Sequence, residues 1–449
     1  MIDKHSVHQV EFVDMTHDAM GVAKIQGFPV FVKNALKGET AEIRISKVNK
    51  NFAIGTLLTI LSESPFRKKP ICEHYADCGG CNLMHMNYDM QLGFKRHRVK
   101  ETLKRIGGIK TTVNETVGMN NPYYYRNKAM IPFGVQDGEV VAGFYKPRSH
   151  EIVNINRCLI YPKFYSDIIK YMKVLLQRYD VSVFDESTGK GLFRGLMIRH
   201  SHSRQEAMVV FVAQNHKVPA RHEIVKDLVK RFPMIKSVIV NVAPDAKNFR
   251  LGTKSKVIFG EDSIEDTLLG NTYSISHASF FQINPVQTEA LYHKAFEYAD
   301  FSPDDIIIDA YSGIGAIGLA AAPKVEKVIG FDSSKSAIRN AEHNARVNNI
   351  FNAEYRLGKA EDVLPGLSDM AVETVFVDPP RKGCDKGFLD ALIALNPRRI
   401  IYVSCNISTF ARDAGVLSAA GYTLEETTPF DMFPQTSHIE SVSLLIRQS

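Results

Sequence analysis

The sequence has no long apolar run and no apolar segment near its N-terminus. No stretch approaches the ~20 consecutive apolar residues that a membrane-spanning helix needs. The N-terminal residues 1–5 lack the apolar h-region that is typical of a signal peptide. We therefore expect a cytoplasmic protein with reduced thiols and no membrane association. In that compartment its six cysteines are not expected to form a disulfide framework. Internal repeats and low-complexity runs are absent as well.

Composition indicates a globular chain with more than one core. A length of 449 residues predicts two or three domains. An apolar content of 45% and a charged content of 23% are typical of soluble globular proteins. The net charge of +6 and the pI near 8.8 are compatible with a nucleic-acid partner. Many enzymes with other substrates share these values, so they do not identify the partner.

The first 70 residues show a pattern of short strands. Strands are predicted at 9–13, 30–32, 40–45 and 55–60, a spacing that indicates a small barrel. Residues 62–70 carry two prolines and several charges, which indicates a linker.

A helix is predicted over about 88–106. Its apolar face carries Met90, Phe94, Val99, Leu103 and Ile106. The other face is basic and includes Lys95, so it is either a solvated surface or one that faces RNA. From 123 to 280 strands and helices alternate without a familiar nucleotide loop.

A glycine-rich loop follows an apolar strand at 306–309. Gly313, Gly315 and Gly318 fit the dinucleotide-binding pattern, and a dehydrogenase is a fair alternative. In dinucleotide folds, however, the glycines follow the strand directly, so that pyrophosphate meets the helix N-terminus. Here Asp309 intervenes, and a carboxylate suits a cation such as the ammonium of S-adenosylmethionine. Asp332 ends the next strand, where it can accept hydrogen bonds from ribose hydroxyls.

A cysteine follows a second apolar strand, at 399–403. Cys405 is therefore expected at the carboxyl-end rim of an α/β sheet, where substrates bind. The preceding rim loop begins with Asp378 and two prolines and continues with Arg381. Methyltransferases that act on exocyclic amines usually have an aromatic residue in that loop, and its lack weakens the amine N-methylation alternative.

Cys405 fits the role of a covalent nucleophile. C5 of uracil accepts a methyl group only after a thiolate adds at C6, and a base must then remove the C5 proton. His438 and Glu440 are the candidates for that base. The plain alternative for a free cysteine is a small buried hydrophobe. The position of Cys405, one strand beyond the Asp378 loop, favours the nucleophile.

Four further cysteines are candidates for a metal centre. Cys72, Cys78 and Cys81 form C-x5-C-x2-C, and Cys158 lies far downstream. Four thiolates fit tetrahedral zinc or a [4Fe–4S] cluster, and the spacing alone leaves both open. It is not the C-x3-C-x2-C of a radical S-adenosylmethionine enzyme. Cys384 has no expected partner.

Taken together, these motifs resemble the RNA uracil-5-methyltransferase family. The matching segments are 279–284, 309–315, 378–383, 404–406 and 433–440, and residues 8–60 resemble the TRAM domain, a small RNA-binding barrel. Departures are Ser312, Ile407 and Asp332, where many members have cysteine, proline and glutamate. None of the three removes a reactive group.

The resemblance implies roles for individual residues. Cys405 would be the nucleophile and Glu440 the base. S-adenosylmethionine and uracil would bind at Gln282, Asp309, Tyr311, Gly313, Gly315, Asp332 and Asp378. A [4Fe–4S] cluster would bind to Cys72, Cys78, Cys81 and Cys158, with zinc the less favoured occupant.

The resemblance also implies an α/β architecture of three domains. We predict a TRAM or OB-like barrel at 1–62 and a central α/β iron–sulfur domain at 63–280, whose helix 88–106 contacts the catalytic domain. A Rossmann-like methyltransferase domain follows at 281–449.

The expected partner is RNA, with a uridine flipped out of a loop. Segments 123–128 and 144–148 mix aromatic rings with cations, as RNA contacts do, although ordinary strand packing gives the same composition. A barrel together with a cluster favours 23S rRNA over tRNA, with more than one target uridine allowed. No obligate protein partner is implied. A non-catalytic RNA-binding protein is the alternative outside enzymes.

Overall fold

The computed structural model describes residues 2–244 and 249–448. Met1 and Ser449, the outermost residues of the first and last predicted domains, lie outside it. None of the helices in these two ranges has the length and apolar character needed to cross a bilayer.

The N-terminal segment closes into a five-stranded barrel in the order β1-β2-β3-β5-β4. The strands are β1 (Val7–Met15), β2 (Gly21–Ile25), β3 (Phe28–Val32), β4 (Thr40–Val48) and β5 (Ala53–Ser62). Alternate side chains such as Phe12, Val30 and Ile43 fill the interior and are fully buried, as the period of two in a strand requires. The predicted barrel is confirmed. The short strand β2 was not predicted. It begins at Gly21, where a Cβ atom would lie only 2.8 Å from the Ala35 side chain.

Helix α1 (Tyr88–Ile106) has the predicted bounds. Asn87 begins it by accepting a hydrogen bond from the Met90 amide at 2.9 Å, the usual role of an N-cap residue. Two side chains differ from prediction. Ile106, on the last turn of the helix, is 52% exposed. Lys95, expected on the basic surface, is fully buried because Asp431 pairs with it. A two-residue strand, β6 (Thr112–Val113), follows.

The central part of the chain forms a seven-stranded sheet in the order β13-β12-β11-β10-β7-β8-β9. Its elements are β7 (Lys128–Gln136), β8 (Glu139–Tyr145), β9 (Ile152–Asn154), α2 (Lys163–Arg178), β10 (Phe193–His200), β11 (Ala207–Ala213), α3 (Arg221–Arg231), β12 (Ile235–Val242) and β13 (Lys254–Gly260). Helices α2 and α3 contribute to one large apolar core with this sheet. Every residue of β10 and β11 is buried, which explains the continuous apolar character of β11.

A hairpin, β14 (Ser263–Leu268) and β15 (Asn271–Ser276), leads into the last domain. The elements there are α4 (Pro285–Ala299), β16 (Ile306–Ala310), α5 (Ala316–Ala321), β17 (Lys327–Asp332), α6 (Lys335–Val347), β18 (Ala353–Leu357), α7 (Ala360–Val363), β19 (Val372–Val377), α8 (Lys386–Leu395), β20 (Arg399–Ser404), α9 (Ile407–Ala419), β21 (Tyr422–Phe430) and β22 (Glu440–Arg447). Single 3₁₀ turns occur at Ala322–Lys324 and Leu364–Leu367.

The last sheet has the order β18-β17-β16-β19-β20-β22-β21-β6. Five neighbouring strands run parallel to one another: β18, β17, β16, β19 and β20. Their carboxyl ends therefore lie at one edge of the sheet. β22 runs antiparallel to both β20 and β21. Its first residue, Glu440, therefore lies at that same edge.

Elements from the predicted central range also contact the last domain. α1 packs on α9, and β6 pairs with β21. Hairpin β14–β15 bonds to α6, where the Thr272 amide donates to Asn348 Oδ1 at 2.8 Å. The domain bounds 1–62, 63–280 and 281–449 stay predictions.

We expect the substitution Lys95→Met to destabilise the catalytic domain by ~3–5 kcal/mol, because it leaves the buried Asp431 carboxylate without its cation. Lys226→Met, which removes an exposed helical lysine, should change stability by less than ~0.5 kcal/mol. Chemical denaturation followed by circular dichroism measures both. Equal, small effects of the two substitutions would contradict a stabilising role for this ion pair.

Candidate active site

The glycine-rich loop after β16 is held by two carboxylates. The Gly318 amide donates to Asp309 Oδ2 at 2.8 Å, and the Gly313 amide donates to Asp332 Oδ2 at 3.1 Å. A Cβ at Gly318 would lie 2.9 Å from Asp309 Oδ2, so this close approach requires glycine. The sequence predicted that both acids face the cofactor. The structure adds a role that it missed, because each acid also fixes the loop.

Backbone conformation keeps this loop open at the sheet edge. Tyr311 has φ 62°, Gly313 φ 56° and Gly315 φ 82°. A non-glycine residue in the left-handed region is uncommon and strained, and strain of this kind concentrates at functional sites. The Tyr311 ring packs against Phe388 with centroids 5.3 Å apart. The loop thus presents its amides at the N-terminus of α5.

Gln282 lies just before α4. It is buried, and its carbonyl accepts a hydrogen bond from Asn127 Nδ2 at 3.0 Å. The Asn127 amide donates to the Ile283 carbonyl at 2.9 Å. The central domain therefore sets the position of the segment that contains Gln282.

Three carboxyl groups are concentrated at the sheet edge. Burial raises the pKa of Asp309 to about 7, opposed by the hydrogen bond from the Gly318 amide and reinforced by the charges of Asp378 and Asp332. Burial also raises the pKa of Asp378 to about 7. The pKa of Glu440 lies well above its usual range, through burial first and then through Asp378. A cationic ligand would relieve this combined cost of burial and repulsion. S-adenosylmethionine, with a sulfonium and an ammonium group, fits that requirement.

Cys405 and Glu440 are brought together by strand pairing. Ser404 of β20 lies opposite Ser441 of β22, so the residues that flank this pair, Cys405 and Glu440, lie at the same rim. Burial, then Glu440 and Asp378, raise the pKa of the half-buried Cys405 thiol to about 11. The thiol therefore needs a nearby cation before it can become a thiolate nucleophile.

Arg381 is a cation that acts on both Cys405 and Glu440. Its guanidinium hydrogen-bonds Cys405 and lowers the pKa of that thiol, and it lowers the pKa of Glu440. Asn406 Nδ2 donates to the Arg381 carbonyl at 2.8 Å, tying the two rim loops together. Arg381 was not among the site residues predicted from the sequence. The available signal was its place directly after Asp378 and the two prolines.

His438 was the second candidate for the base. Burial and then four cations, beginning with Arg381, lower its pKa to about 4. The ring lies on the wall of the cavity that the four cysteines line. Cys384, which had no predicted partner, is buried with its sulfur 3.4 Å from Tyr402 Oη. It belongs to the packing behind Tyr311.

The four candidate metal-binding cysteines line one cavity of about 230 Å³. All four carry free thiols. Burial raises the pKa of Cys158 to about 12 against hydrogen bonds from the Ile160 and Tyr161 amides. The Gly80 amide donates to Cys78 Sγ at 3.3 Å. In 2–244 and 249–448, no group of three or more His, Cys, Asp or Glu side chains is arranged to hold a single metal ion.

The predicted RNA-contacting segments are partly packing residues. Tyr125 is buried and donates to the Pro434 carbonyl at 3.1 Å. Phe144 stacks on Tyr161 with centroids 5.6 Å apart. Arg157 covers the Tyr124 ring at 5.6 Å. Arg148 remains exposed on the surface beside the cysteine cavity.

The sheet order, the glycine loop after its first strand and the reversed strand β22 define an S-adenosylmethionine-dependent methyltransferase fold. The family model for tRNA (uracil-5-)-methyltransferase matches residues 87–448, and the TRAM domain model matches residues 6–58. The chain belongs to the tRNA (uracil-5-)-methyltransferase family. It is an RNA (uracil-5-)-methyltransferase that takes its methyl group from S-adenosylmethionine.

Relatives align along the whole chain. A protein of Oceanobacillus iheyensis described as an uncharacterized RNA methyltransferase is 42% identical over 448 residues, which are 99% of this chain and 97% of that protein. One of Staphylococcus epidermidis with the same description is 43% identical, covering 100% and 99%. The solved tRNA (uracil-54, C5)-methyltransferase of Pyrococcus abyssi, in complex with S-adenosyl-L-homocysteine, is 28% identical with a TM-score of 0.78, covering 98% and 100%.

These matches decide between the readings of the glycine loop and of the whole chain. Membership in a uracil-5-methyltransferase family confirms the predicted methyltransferase and its small RNA-binding barrel. The dehydrogenase and amine N-methyltransferase alternatives are wrong, since neither belongs to this family.

Binding of S-adenosylmethionine should tighten as the pH rises. Asp309 and Asp378 have pKa values of about 7, and a bound cation favours their ionised forms, so binding releases protons. We expect affinity to rise roughly 10-fold between about pH 6 and pH 8. Calorimetry in two buffers of different ionisation enthalpy measures affinity and proton release together. Asp378→Asn should flatten the profile, and a wild-type affinity independent of pH would contradict the coupling.

Proposed function

We propose that this enzyme methylates C5 of uridine in 23S rRNA through a covalent adduct between Cys405 and C6 of the base. The observation that carries the proposal is the juxtaposition of Cys405, Asp378 and Glu440 at one sheet edge, with Arg381 beside the thiol. More than one target uridine is allowed. The uridine would be flipped out of a loop, because C5 and C6 of a stacked base are out of reach of a side chain.

The chemistry divides between the two reactive residues. The Cys405 thiolate forms a bond to C6, and the C5–C6 electron pair makes C5 nucleophilic. S-adenosylmethionine, when bound, supplies the methyl group that C5 takes. Glu440 then accepts the C5 proton. The C5–C6 double bond re-forms, the C6–S bond breaks, and the electron pair returns to Cys405 as thiolate.

Arg381 acts on both groups in the direction that these roles require, and the cationic cofactor, when bound, would act in the same direction. Cys405 must lose its proton before it attacks, and Glu440 must be ionised to act as a base. Arg381 lowers the pKa of both groups. Since burial raises the pKa of each group, the same residues would be largely protonated without a cation nearby.

The cofactor would occupy the space between the glycine loop and Gln282. Gly313, Gly315 and Tyr311 form the loop, and Asp309, Asp332 and Asp378 supply the negative charge around it. These assignments rest on the position of each residue at the carboxyl ends of β16, β17 and β19, where ligands of open α/β sheets bind.

A tRNA substrate is the second candidate. It is favoured by the likeness to the Pyrococcus abyssi enzyme, whose described substrate is uridine 54 of tRNA. That enzyme covers 98% of this chain, so possession of the barrel does not separate the two substrates. The remaining support for 23S rRNA is the family pattern of a barrel combined with four cysteines. We place the reaction in the cytoplasm, with no obligate protein partner.

A trapping experiment tests both mechanism and substrate. With S-adenosylmethionine and RNA that contains 5-fluorouridine, the adduct with Cys405 should persist, because Glu440 finds no C5 proton to remove. Denaturing gels should then show a shifted band that is absent in Cys405→Ala. Comparing 23S rRNA fragments with tRNA transcripts identifies the substrate. Failure to trap an RNA that the enzyme methylates would contradict the covalent route.

We also propose that Cys72, Cys78, Cys81 and Cys158 bind a [4Fe–4S] cluster. Four thiolates can bind either one zinc ion or the four irons of a cluster, and the family resemblance favours the cluster. In a cluster each thiolate binds a different iron, so the sulfurs stand farther apart. The cavity of about 230 Å³ and the amide groups directed at Cys78 and Cys158 support that occupant.

Anaerobic purification should yield protein with about four iron and four sulfide ions per chain. Cys158→Ser should lose them, because it removes one ligand. Cys384→Ser is the matched control, since Cys384 lies outside the cavity and should leave the iron content unchanged. Iron and zinc analysis by plasma emission makes the measurement. Stoichiometric zinc without iron would overturn the assignment.

A further inference from the structure

The loop between β21 and β22, residues 431–439 (the base loop), ends immediately before Glu440. Phe430 and Glu440, at the two ends of the loop, are paired across β21 and β22. Sheet pairing therefore fixes the chain that follows Glu440, whereas the loop that precedes Glu440 lies outside these two strands. Within the loop the chain passes through a turn in which Gln435 has φ 70°. A nine-residue loop with a strained residue needs contacts from elsewhere to keep one conformation.

Helix α1 supplies those contacts from one face. Gln91 and Gln435 exchange two hydrogen bonds, at 3.1 and 3.2 Å. Lys95 pairs with Asp431 and also donates to the Phe433 carbonyl at 3.3 Å. Arg98 Nη1 donates to the Ser437 carbonyl at 2.5 Å.

Further hydrogen bonds to the base loop come from Asn82 and Leu83, which precede α1, and from Tyr88, its first residue. The Asn82 and Leu83 amides both donate to the Gln435 carbonyl at 3.1 Å. Asn82 also accepts from the Ser437 amide at 2.8 Å. Tyr88 Oη donates to Asp431 Oδ2 at 2.7 Å. Most of the base loop is therefore hydrogen-bonded to a part of the chain more than three hundred residues earlier.

Burial gives these contacts their weight. Lys95, Asp431, Gln91 and Gln435 are fully buried, and a buried polar group that loses its partner carries the full cost of desolvation. Arg98 is half-buried and acts nearest to Glu440. The observed arrangement of the base loop thus depends on its buried contacts with α1.

We propose that Gln91, Lys95 and Arg98 of α1 are positioning residues that hold Glu440 in place for removal of the C5 proton. The proposal deepens the proposed function and rests on Glu440 being the base. None of the three side chains would touch the uridine. Their effect would be on the second half of the reaction, after the Cys405–C6 bond has formed and the methyl group has been transferred.

A displaced base has a distinctive consequence. The Cys405–C6 bond breaks only when the C5 proton leaves, so a slower proton removal makes the methylated adduct accumulate on ordinary uridine RNA. A residue needed only for folding or RNA binding would instead lower the amount of adduct. Because a misplacement of about 1 Å can slow a reaction roughly 100-fold, the accumulation should be visible at steady state.

The test compares Gln91→Met and Arg98→Met, substitutions that keep similar side-chain length, with the exposed control Lys226→Met. Each protein is mixed with radiolabelled S-adenosylmethionine and uridine-containing RNA that the wild type methylates. Label in the covalent protein–RNA band is then compared with label in free RNA. Glu440→Gln and Cys405→Ala serve as references, and melting curves establish that every variant is folded.

We expect Gln91→Met and Arg98→Met to raise the ratio of adduct to released product at least ~10-fold and to slow turnover, as Glu440→Gln does, while Lys226→Met matches the wild type. If Glu440→Gln accumulates adduct and the folded α1 variants do not, the positioning role is overturned and the proposed mechanism stands. If Glu440→Gln accumulates none, the base assignment itself fails, and the positioning role fails with it.

Discussion

Antiparallel pairing between β20 and β22 is the constraint on which the candidate active site depends. Seven of the eight described strands of the sheet run in one direction, and Glu440 would lie at the opposite edge if β22 ran in that direction too. Reversal of β22 brings its first residue back to the rim, one position from the Ser404–Ser441 pair. The nucleophile and the base therefore meet through backbone hydrogen bonds, which side-chain substitutions nearby do not rearrange.

Buried charge is handled in two different ways around this rim. At the root of the base loop, Lys95 neutralises Asp431 within the protein, so that pair stabilises the arrangement without a ligand. At the sheet edge Asp309, Asp378 and Glu440 are all desolvated, and the charge of Asp378 raises the pKa of the other two. A hydrogen bond from the Gly318 amide opposes this effect at Asp309, and Arg381 opposes it at Glu440. An acidic site of this kind is suited to a cationic ligand, because binding relieves an unfavourable charge distribution. The same cluster keeps the Cys405 thiol protonated until the site is occupied.

Several elements could be predicted because local rules decide them. The bounds of α1 follow from Asn87 as its N-cap and Gly107 at its end. Asp309, Asp378 and Cys405 lie at or directly after the carboxyl ends of the apolar strands β16, β19 and β20. The carboxyl end of a buried parallel strand is where such a sheet binds its ligand. The barrel follows from alternation of apolar and polar residues. β2 was missed because it is short and begins at a glycine whose purpose is close packing.

The kinds of residue and their order along the chain were determined by the sequence alone: a thiol after a strand, an acid in the glycine loop, four cysteines around a turn. Only the tertiary structure decided which of them meet. Helical periodicity assigns Lys95 to a polar face, but its partner Asp431 lies in another part of the chain, and Arg381 becomes part of the site only because two rim loops touch. Local propensity acts over a few residues, whereas burial and pairing act between segments that folding brings together.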